Sequence, residues 1–204
     1  MPASTSAERR SRRRAAGLPS PAMMFLKGFI KHPVMVGAIA SSSQRLVKKM
    51  LDRVDFGACK LFVEYGPGVG TFTRPVLERL APDAKLVVID TNPDFIAYLN
   101  ATIIDSRFSA VLGSAADVKQ IVHDHGFGHA DYIASGLPFS TLPTGVGDQI
   151  ARATQDILRP GGAFLVDQYN PKVRSFFASY FPRIDHAMEW INLPPAQLWW
   201  AWKD

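Results

Sequence analysis

Short apolar runs alternate with amphipathic segments from about residue 43 to the C-terminus, and this alternation constrains the fold more than any other feature of the chain. An apolar run of this kind is typical of a strand that is buried on both faces, as in a parallel sheet. Strands that alternate with helices place the helices on both faces of such a sheet. We therefore predict one α/β domain with a mostly parallel sheet. Ligands of such folds bind beyond the carboxyl ends of the strands.

The pattern predicts seven strands and, after residue 41, six helices. The predicted strands span residues 60–65, 85–90, 108–113, 131–136, 161–168, 186–192 and 197–203. The predicted helices span residues 42–54, 73–80, 93–102, 117–123, 145–158 and 172–181. In the first helix, the apolar side chains that we expect to face inward are Leu46, Val47, Met50 and Leu51.

Positive charge is concentrated at the N-terminus. Residues 1–60 hold 12 Lys and Arg against 3 Asp and Glu, whereas the rest of the chain holds 11 against 15. Residues 1–21 are rich in Ser, Arg and Ala and have little apolar surface, which predicts a disordered basic tail. No stretch of the sequence is apolar over the roughly 18 residues that span a bilayer, and no signal for export follows the arginines.

The segment AMMFLKGFIKHP follows the tail and reads as a short amphipathic helix that ends before Pro33. Phe25, Leu26 and Phe29 contribute to its apolar side, while Lys27 and Lys31 lie on the other side. Bulky apolar residues with flanking lysines are typical of a helix that lies in an anionic membrane surface. The same apolar side would also suit packing on the domain, and the segment by itself leaves both interpretations open.

The glycine-rich segment VEYGPGVGTFT is the most specific motif. Gly66, Gly68 and Gly70 follow a predicted strand and open a helix, so the backbone can turn sharply and approach a ligand. Asp90 ends the next strand, where a carboxylate can accept hydrogen bonds from both ribose hydroxyls. Glu64 precedes the first glycine by two residues and would oppose a pyrophosphate, but it suits the sulfonium and ammonium of S-adenosylmethionine. The motif therefore predicts an S-adenosylmethionine site.

From about Gly37 to the C-terminus the chain resembles the class I methyltransferases, which implies a Rossmann-like fold. The resemblance implies that Glu64 organises the glycine turn and the methionine end of the cofactor and that Asp90 holds the ribose. It places Ser114 near the adenine, where many members have an acid and where the Ser114 hydroxyl could bond the adenine amine. Asp117 is expected to cap the adjacent helix instead of contacting the adenine. The full set of implied cofactor residues is Glu64, Gly66, Gly68, Gly70, Thr71, Asp90, Thr91, Ser114, Ala115 and Ser135.

The segment SGLPFS follows the fourth predicted strand and corresponds to the acceptor side of such an enzyme. SGLPFS resembles the corresponding segment of methyltransferases that act on exocyclic amines of bases. Those enzymes carry Asn or Asp where this chain has Gly136. A planar base would lose an orienting hydrogen bond there, at a cost of about 1–3 kcal/mol. Leu137, Pro138 and Phe139 complete the segment, and we expect the Phe139 ring to lie beside a substrate cation.

Several segments in order, among them FLKGFIKHPVMVGAIASSSQRL, SGLPF and INLPPAQLW, resemble the bacterial phospholipid N-methyltransferases, which are similar to the rRNA adenine dimethyltransferases. This resemblance favours membrane contact by the N-terminal helix. It implies a basic tail (1–21), N-terminal amphipathic helices that contact the membrane and cover the cofactor (22–56), and a methyltransferase domain (57–204). It also implies a cytoplasmic enzyme at the inner face of the cell membrane.

The implied reaction methylates phosphatidylethanolamine, and its mono- and dimethyl derivatives, toward phosphatidylcholine. The expected partners are the phospholipid and an anionic membrane surface, with no specific nucleic acid. The alternative is an rRNA adenine methyltransferase whose Arg-rich tail contacts phosphates. The segment NLPP at 192–195 reads as a structural turn because it lies between the last two predicted strands.

The reaction needs a deprotonated amine, and three strand ends offer a base: Tyr65, Asp167 and Tyr169, of which we favour Tyr169. The lipid phosphate is expected to meet a basic side chain. The candidates for that contact are Lys27, Lys31, Arg45 and Arg174. No metal is expected, because the family chemistry needs none and an exposed helix end explains His123, His125 and His129.

Overall fold

The computed structural model describes residues 44–190 and 195–204, and its centre is a seven-stranded sheet with the order β3-β2-β1-β4-β5-β7-β6. Strands β1 to β5 pair with one another in parallel, and β7 runs antiparallel to both β5 and β6, between which it lies. The predicted Rossmann-like α/β fold is confirmed. The strands are β1 (Leu61–Tyr65), β2 (Lys85–Asp90), β3 (Phe108–Leu112), β4 (Ala130–Ser135), β5 (Leu158–Gln168), β6 (Arg183–Glu189) and β7 (Ala196–Trp202).

Five α-helices and three 3-10 helices connect these strands within the described residues. The α-helices are α1 (Gln44–Leu51), α2 (Thr73–Arg79), α3 (Pro93–Thr102), α4 (Val118–Asp124) and α5 (Val146–Ile157). The 3-10 helices span Ala115–Asp117, Phe139–Thr141 and Pro171–Phe176. None of the helices in this part of the chain is long and apolar enough to span a membrane.

The sheet has an apolar core on each face, because successive strand side chains point to opposite sides. On the first face, α1, α2 and α3 pack against alternate strand residues such as Phe62, Leu86 and Leu165. On the second face, α4, α5 and the last 3-10 helix pack against Val63, Phe164 and their equivalents. The inward face predicted for α1 is confirmed, since its four apolar residues are at most 2% exposed.

The largest difference from the predicted elements lies at 172–181. We predicted a helix there, but Pro171–Phe176 is a 3-10 helix, and turns follow it. Val173, Phe177 and Phe181 have helical spacing and are all buried on the second face. Their burial against α5 and the sheet is achieved by successive tight turns, so the apolar spacing did not require a regular helix.

Strand β5 begins earlier than predicted, at Leu158, and contains an irregularity. Its register with β4 shifts between the pairs of Ala130 and Tyr132. A Cβ on Gly162 would lie 2.5 Å from the Asp131 carbonyl oxygen, so only glycine allows the two strands to approach this closely. The predicted N-terminal helix, with Phe25, Leu26, Lys27, Phe29 and Lys31, lies outside the described residues, as do residues 192–194 of the NLPP segment.

Candidate cofactor and acceptor site

The glycine turn follows β1 at the carboxyl edge of the sheet. Gly66, Gly68 and Gly70 all have positive φ angles, of 64°, 54° and 85°, which side chains other than glycine rarely adopt. The Gly66 N–H donates to the Ile89 carbonyl oxygen at 2.9 Å, which ties the turn to β2. A Cβ on Gly66 would come within 3.0 Å of the Leu137 side chain, so the absence of a side chain also lets the acceptor segment approach.

Glu64 is buried beneath this turn, at 3% exposure. The Thr73 hydroxyl, at the start of α2, donates to its carboxylate at 2.7 Å. Burial raises the pKa of Glu64 to about 8, the Thr73 hydrogen bond opposes this rise, and the carboxylates of Asp167 and Asp90 add to it. A cation placed nearby would favour the ionised form of Glu64, whereas a phosphate would not.

Asp90 lies beside the glycine turn, as predicted for a ribose-binding carboxylate. The Asn92 N–H donates to it at 2.8 Å. Burial raises the pKa of Asp90 to about 6, although the backbone N–H groups of Asn92, Gly68 and Thr91 favour its ionised form. Thr91 itself is exposed at this edge. The carboxylate is therefore held by backbone groups next to the turn that would receive a ligand.

The segment after β3 lies next to Asp90, because the Gly113 N–H donates to the Asp90 carbonyl oxygen at 2.9 Å. The Ser114 hydroxyl accepts from the Ala116 N–H at 3.2 Å and so caps the 3-10 helix that begins at Ala115. Asp117 occupies the N-cap position of α4, as predicted, but its side chain makes no capping hydrogen bond there. The cap occupies one acceptor lone pair of the Ser114 hydroxyl.

The acceptor segment is held from three sides. The Ser135 hydroxyl, which is 2% exposed, accepts from the Leu137 N–H at 3.2 Å. The Gly136 N–H donates to the Tyr65 carbonyl oxygen at 3.1 Å. The Gln168 amide donates to the Leu137 carbonyl oxygen at 2.7 Å. Gln168 was missed by sequence reasoning, although a polar amide at the end of the apolar strand β5 was a signal for it.

Phe139 does not face the site, which corrects the predicted cation contact. Its ring is 0% exposed on the second face of the sheet. The ring centroid lies 6.2 Å from that of Phe164 and 6.0 Å from that of Phe176. The 3-10 helix Phe139–Thr141 carries the ring into this aromatic cluster, where burial stabilises it more than an exposed edge would. Pro138 is also buried, whereas Leu137 remains partly exposed.

The three candidate bases separate between the two faces. The Tyr65 side chain is buried on the second face and its hydroxyl pairs with that of Thr154 at 3.0 Å. Burial raises the pKa of Tyr65, so this residue is not a base for the acceptor site. Tyr169 is partly buried and packs on the first-face core, and Asp167 is partly buried at the end of β5.

The remaining polar candidates lie elsewhere. Arg45 and Arg174 are exposed. Both ring nitrogens of His125 are hydrogen-bonded, Nδ1 to the Ile121 carbonyl oxygen at 2.7 Å and Nε2 to the Ser109 hydroxyl at 2.9 Å. His123 and His129 are exposed. Across residues 44–190 and 195–204, no group of three or more His, Cys, Asp or Glu side chains is placed to hold a metal ion.

A comparison with models of known protein families finds no match. The ornithine lipid N-methyltransferase of Singulisphaera acidiphila is 30% identical over 175 residues, which cover 85% of this chain and 91% of that protein. Ribosomal RNA small subunit methyltransferase A of Mycoplasma capricolum is 26% identical over 121 residues, which cover 55% of this chain and 44% of that protein.

Among solved structures, the N-methyltransferase NodS of Bradyrhizobium japonicum in complex with S-adenosyl-L-homocysteine has a similar fold. Its TM-score is 0.56 at 18% identity, over 78% of this chain and 84% of that chain. The glycine turn, Glu64 and Asp90 fit S-adenosylmethionine, because a sulfonium or ammonium would favour the ionised form of buried Glu64 and a carboxylate at Asp90 can accept from ribose hydroxyls. The chain therefore belongs to the same family of S-adenosylmethionine-dependent N-methyltransferases as the ornithine lipid N-methyltransferase.

Proposed function

We propose that the protein transfers methyl groups from S-adenosylmethionine to the headgroup amine of a membrane lipid, with phosphatidylethanolamine as the substrate and phosphatidylcholine as the end product. The observation that carries the lipid assignment is the 30% identity to the ornithine lipid N-methyltransferase over nearly the whole of both chains. Ornithine lipid is the second candidate substrate for the same reason. Both headgroups combine an alkylammonium with an anionic group, a phosphate in one lipid and a carboxylate in the other.

The acceptor segment supports an alkylamine substrate. Gly136 supplies no side-chain acceptor for a planar amine, and the Phe139 ring is buried where it cannot stack on a base. A base bound at this position would lose both the hydrogen bond and the ring contact on which base methyltransferases depend. An alkylammonium is tetrahedral and needs neither of them.

The protein's contribution to the reaction is alignment of the amine with the methyl group. S-adenosylmethionine, when bound, would supply the methyl group as an electrophile on its sulfonium. An alkylammonium with a pKa of about 10 must first lose a proton, which costs about 4 kcal/mol at neutral pH, and Tyr169 stays the favoured residue to receive it. Gly66, Gly68 and Asp90 would hold the cofactor, and Gln168 would hold the acceptor segment beside it.

Contact with an anionic membrane surface is part of the proposal, with the protein bound peripherally at the inner face of the cell membrane. The predicted helix with Phe25, Leu26 and Phe29 would insert its apolar side. Helix α1 exposes Arg45 and Lys48, and Lys48 also lines a groove of about 580 Å³ between α1 and α2 that reaches Gly70. Each basic residue near an anionic surface contributes about 1 kcal/mol to binding.

Methylation of rRNA adenine is the alternative, and the partial similarity to ribosomal RNA small subunit methyltransferase A favours it. The Arg-rich tail would then contact phosphates, and RNA binding would weaken steeply with salt. The acceptor segment argues against this alternative, because it lacks both the amide and an accessible aromatic ring.

The proposal can be tested in a bacterial host that makes phosphatidylethanolamine and ornithine lipid but no methylated form of either. The full chain is expressed there, and the extracted lipids are analysed by mass spectrometry, with Asp90→Ala as the inactive control. Methylated phosphatidylethanolamine is the expected product. Methylated ornithine lipid alone would replace the headgroup in the proposal, and unmodified lipids with a folded protein would contradict it.

A further inference from the structure

Because the Phe139 ring is buried on the second face, it cannot receive the substrate cation, and the neighbouring strand β5 offers a carboxylate that can. Ser135 on β4 is paired with Val166 on β5. The Gln168 side-chain amide donates to the Leu137 carbonyl oxygen at 2.7 Å. The segments that follow Ser135 and Val166 therefore remain side by side beyond that pair. Gly136 and Asp167 are therefore adjacent positions, on segments about 4.8 Å apart.

The Asp167 side chain lies on the same face of the sheet as Glu64. Leu165 packs in the first-face core and Val166 in the second, so alternation places Asp167 on the first face. Glu64 is on that face too, because it pairs with Thr73 of α2. The Asp167 carboxylate is close enough to raise the pKa of Glu64.

Gly136 leaves space on this face. A Cβ built on Gly136 would meet one atom of the described residues within 4 Å, the Gly66 carbonyl oxygen at 3.4 Å. Gly66 belongs to the turn that receives the methionine end of the cofactor. The space above Gly136 is thus bounded by that turn on one side and by the strand position of Asp167 on the other.

We propose that Asp167 binds the headgroup ammonium of the lipid above Gly136, beside the glycine turn. This inference rests on the proposed function and deepens it. The carboxylate takes the place of the Asn or Asp side chain that base methyltransferases carry in the acceptor segment itself. Because it approaches from the neighbouring strand, it leaves room for a tetrahedral group, and it accepts from any N–H of an ammonium that rotates about its own axis.

The number of N–H donors gives this contact a signature. An unmethylated ammonium has three, the dimethylated one has a single donor, and the trimethylated product has none. The positive charge is the same throughout. Asp167 therefore favours the unmethylated substrate through hydrogen bonds that are lost stepwise, and it releases the finished product most readily.

The test uses the full chain and the isosteric variant Asp167→Asn, with the exposed Asp156→Asn as the matched control. KM is measured for vesicles of unmethylated and of dimethylated phosphatidylethanolamine, and the Kd of S-adenosylhomocysteine is measured by calorimetry. We expect Asp167→Asn to raise KM for the unmethylated lipid at least about tenfold and for the dimethylated lipid less, with Kd within about twofold of wild type. Asp156→Asn should change none of these values.

Three results would overturn the inference: an unchanged KM, an equal rise for both lipids, or a parallel loss of S-adenosylhomocysteine binding, which would indicate a structural role. The wild-type protein separates this failure from that of the proposed function. If the wild type methylates lipid and Asp167→Asn does so with the same KM, only the inference fails. If the wild type methylates RNA alone, both fail.

Discussion

The side-chain amide of Gln168 donates a 2.7 Å hydrogen bond to the backbone carbonyl oxygen of Leu137, and this contact joins the end of β5 to the acceptor segment after β4. Gln168 is 7% exposed. A buried donor of this kind fixes the path of residues 136–138, which join β4 to the 3-10 helix Phe139–Thr141. We therefore expect Gln168 to be a positioning residue for the substrate side of the site.

Replacing Gln168 by Leu removes this donor and leaves the Leu137 carbonyl oxygen without its partner. The expected cost is about 1–3 kcal/mol of stability, together with a fall in kcat of about tenfold, because the acceptor segment loses its fixed path. Affinity for S-adenosylhomocysteine should stay near that of wild type. Steady-state kinetics and calorimetry check these values, and Gln120→Leu on the exposed face of α4 is the control. An unaltered kcat would show that the bond positions nothing in the reaction.

Placing at Gly136 the Asn that base methyltransferases carry there should weaken lipid methylation. In Gly136→Asn the new Cβ lies 3.4 Å from the Gly66 carbonyl oxygen, so the side chain fits only by filling the space above the acceptor segment. We expect at least a tenfold loss of kcat/KM on lipid vesicles, or about 1.4 kcal/mol. Gly128→Asn, where a Cβ meets nothing within 4 Å, is the matched control. Full activity in Gly136→Asn would mean that the amine is bound elsewhere.

The raised pKa of Glu64 should make cofactor affinity depend on pH. Its pKa of about 8 in the free protein means that it is largely protonated at neutral pH. A bound sulfonium favours the carboxylate, so binding releases a proton below pH 8, and the affinity rises with pH until it levels off above pH 8. S-adenosylhomocysteine lacks the sulfonium charge, so its affinity should rise less.

This dependence can be measured as the ratio of the two Kd values, because titration of the amino group that both ligands share then cancels. Between about pH 6.5 and about pH 8.5, the preference for S-adenosylmethionine should increase several-fold in the wild type. In Glu64→Gln the ratio should be constant across that range. A flat wild-type ratio would contradict the assignment of Glu64 to the methionine end.

Replacing Asp90 should weaken cofactor binding without affecting membrane binding. Asp90→Asn keeps the shape of the side chain but removes the charge that the N–H groups of Asn92 and Gly68 stabilise. We expect the Kd of S-adenosylhomocysteine to rise about tenfold or more, while vesicle binding stays as in the wild type. Calorimetry and vesicle sedimentation measure the two quantities. If Asp90→Asn bound S-adenosylhomocysteine as tightly as the wild type, Asp90 would not bind the ribose.

The helix predicted at residues 22–32 leads us to expect that activity depends on the membrane surface. Changing Phe25, Leu26 and Phe29 together to Ser should lower vesicle binding and activity at least tenfold, since the apolar side would no longer insert. Wild-type activity should rise with the anionic lipid content of the vesicles. Cofactor affinity serves as the folding control. Activity that is insensitive to both changes would argue that the helix packs on the domain instead.

The fold and the cofactor side of the site followed from the sequence because their signals are local. Helix α3 was predicted with its observed bounds, since Asn92 caps it and Pro93 begins it. The glycine turn, Glu64 and Asp90 meet because parallel strands bring their carboxyl ends to one edge. Each of these signals lies within a few residues of the chain.

The acceptor side was harder to predict because it depends on contacts between distant segments. Phe139 follows a strand, so its side chain could lie on either face of the sheet. It lies on the second face because it packs there against Phe164 and Phe176. Gln168 contacts the acceptor segment because β5 lies beside β4. The residue-by-residue register of these two strands could not be predicted from the sequence. The same holds for the 3-10 helix Pro171–Phe176, where burial rather than helical propensity sets the backbone.

The most direct test of lipid methylation uses one reaction mixture. The full chain is incubated with S-adenosylmethionine that carries a labelled methyl group, vesicles that contain phosphatidylethanolamine, ornithine lipid and an anionic lipid, and total RNA. Organic extraction then separates lipid from RNA. We predict that the label enters the lipid phase, on the headgroup amine. Label in RNA alone would contradict the proposed function.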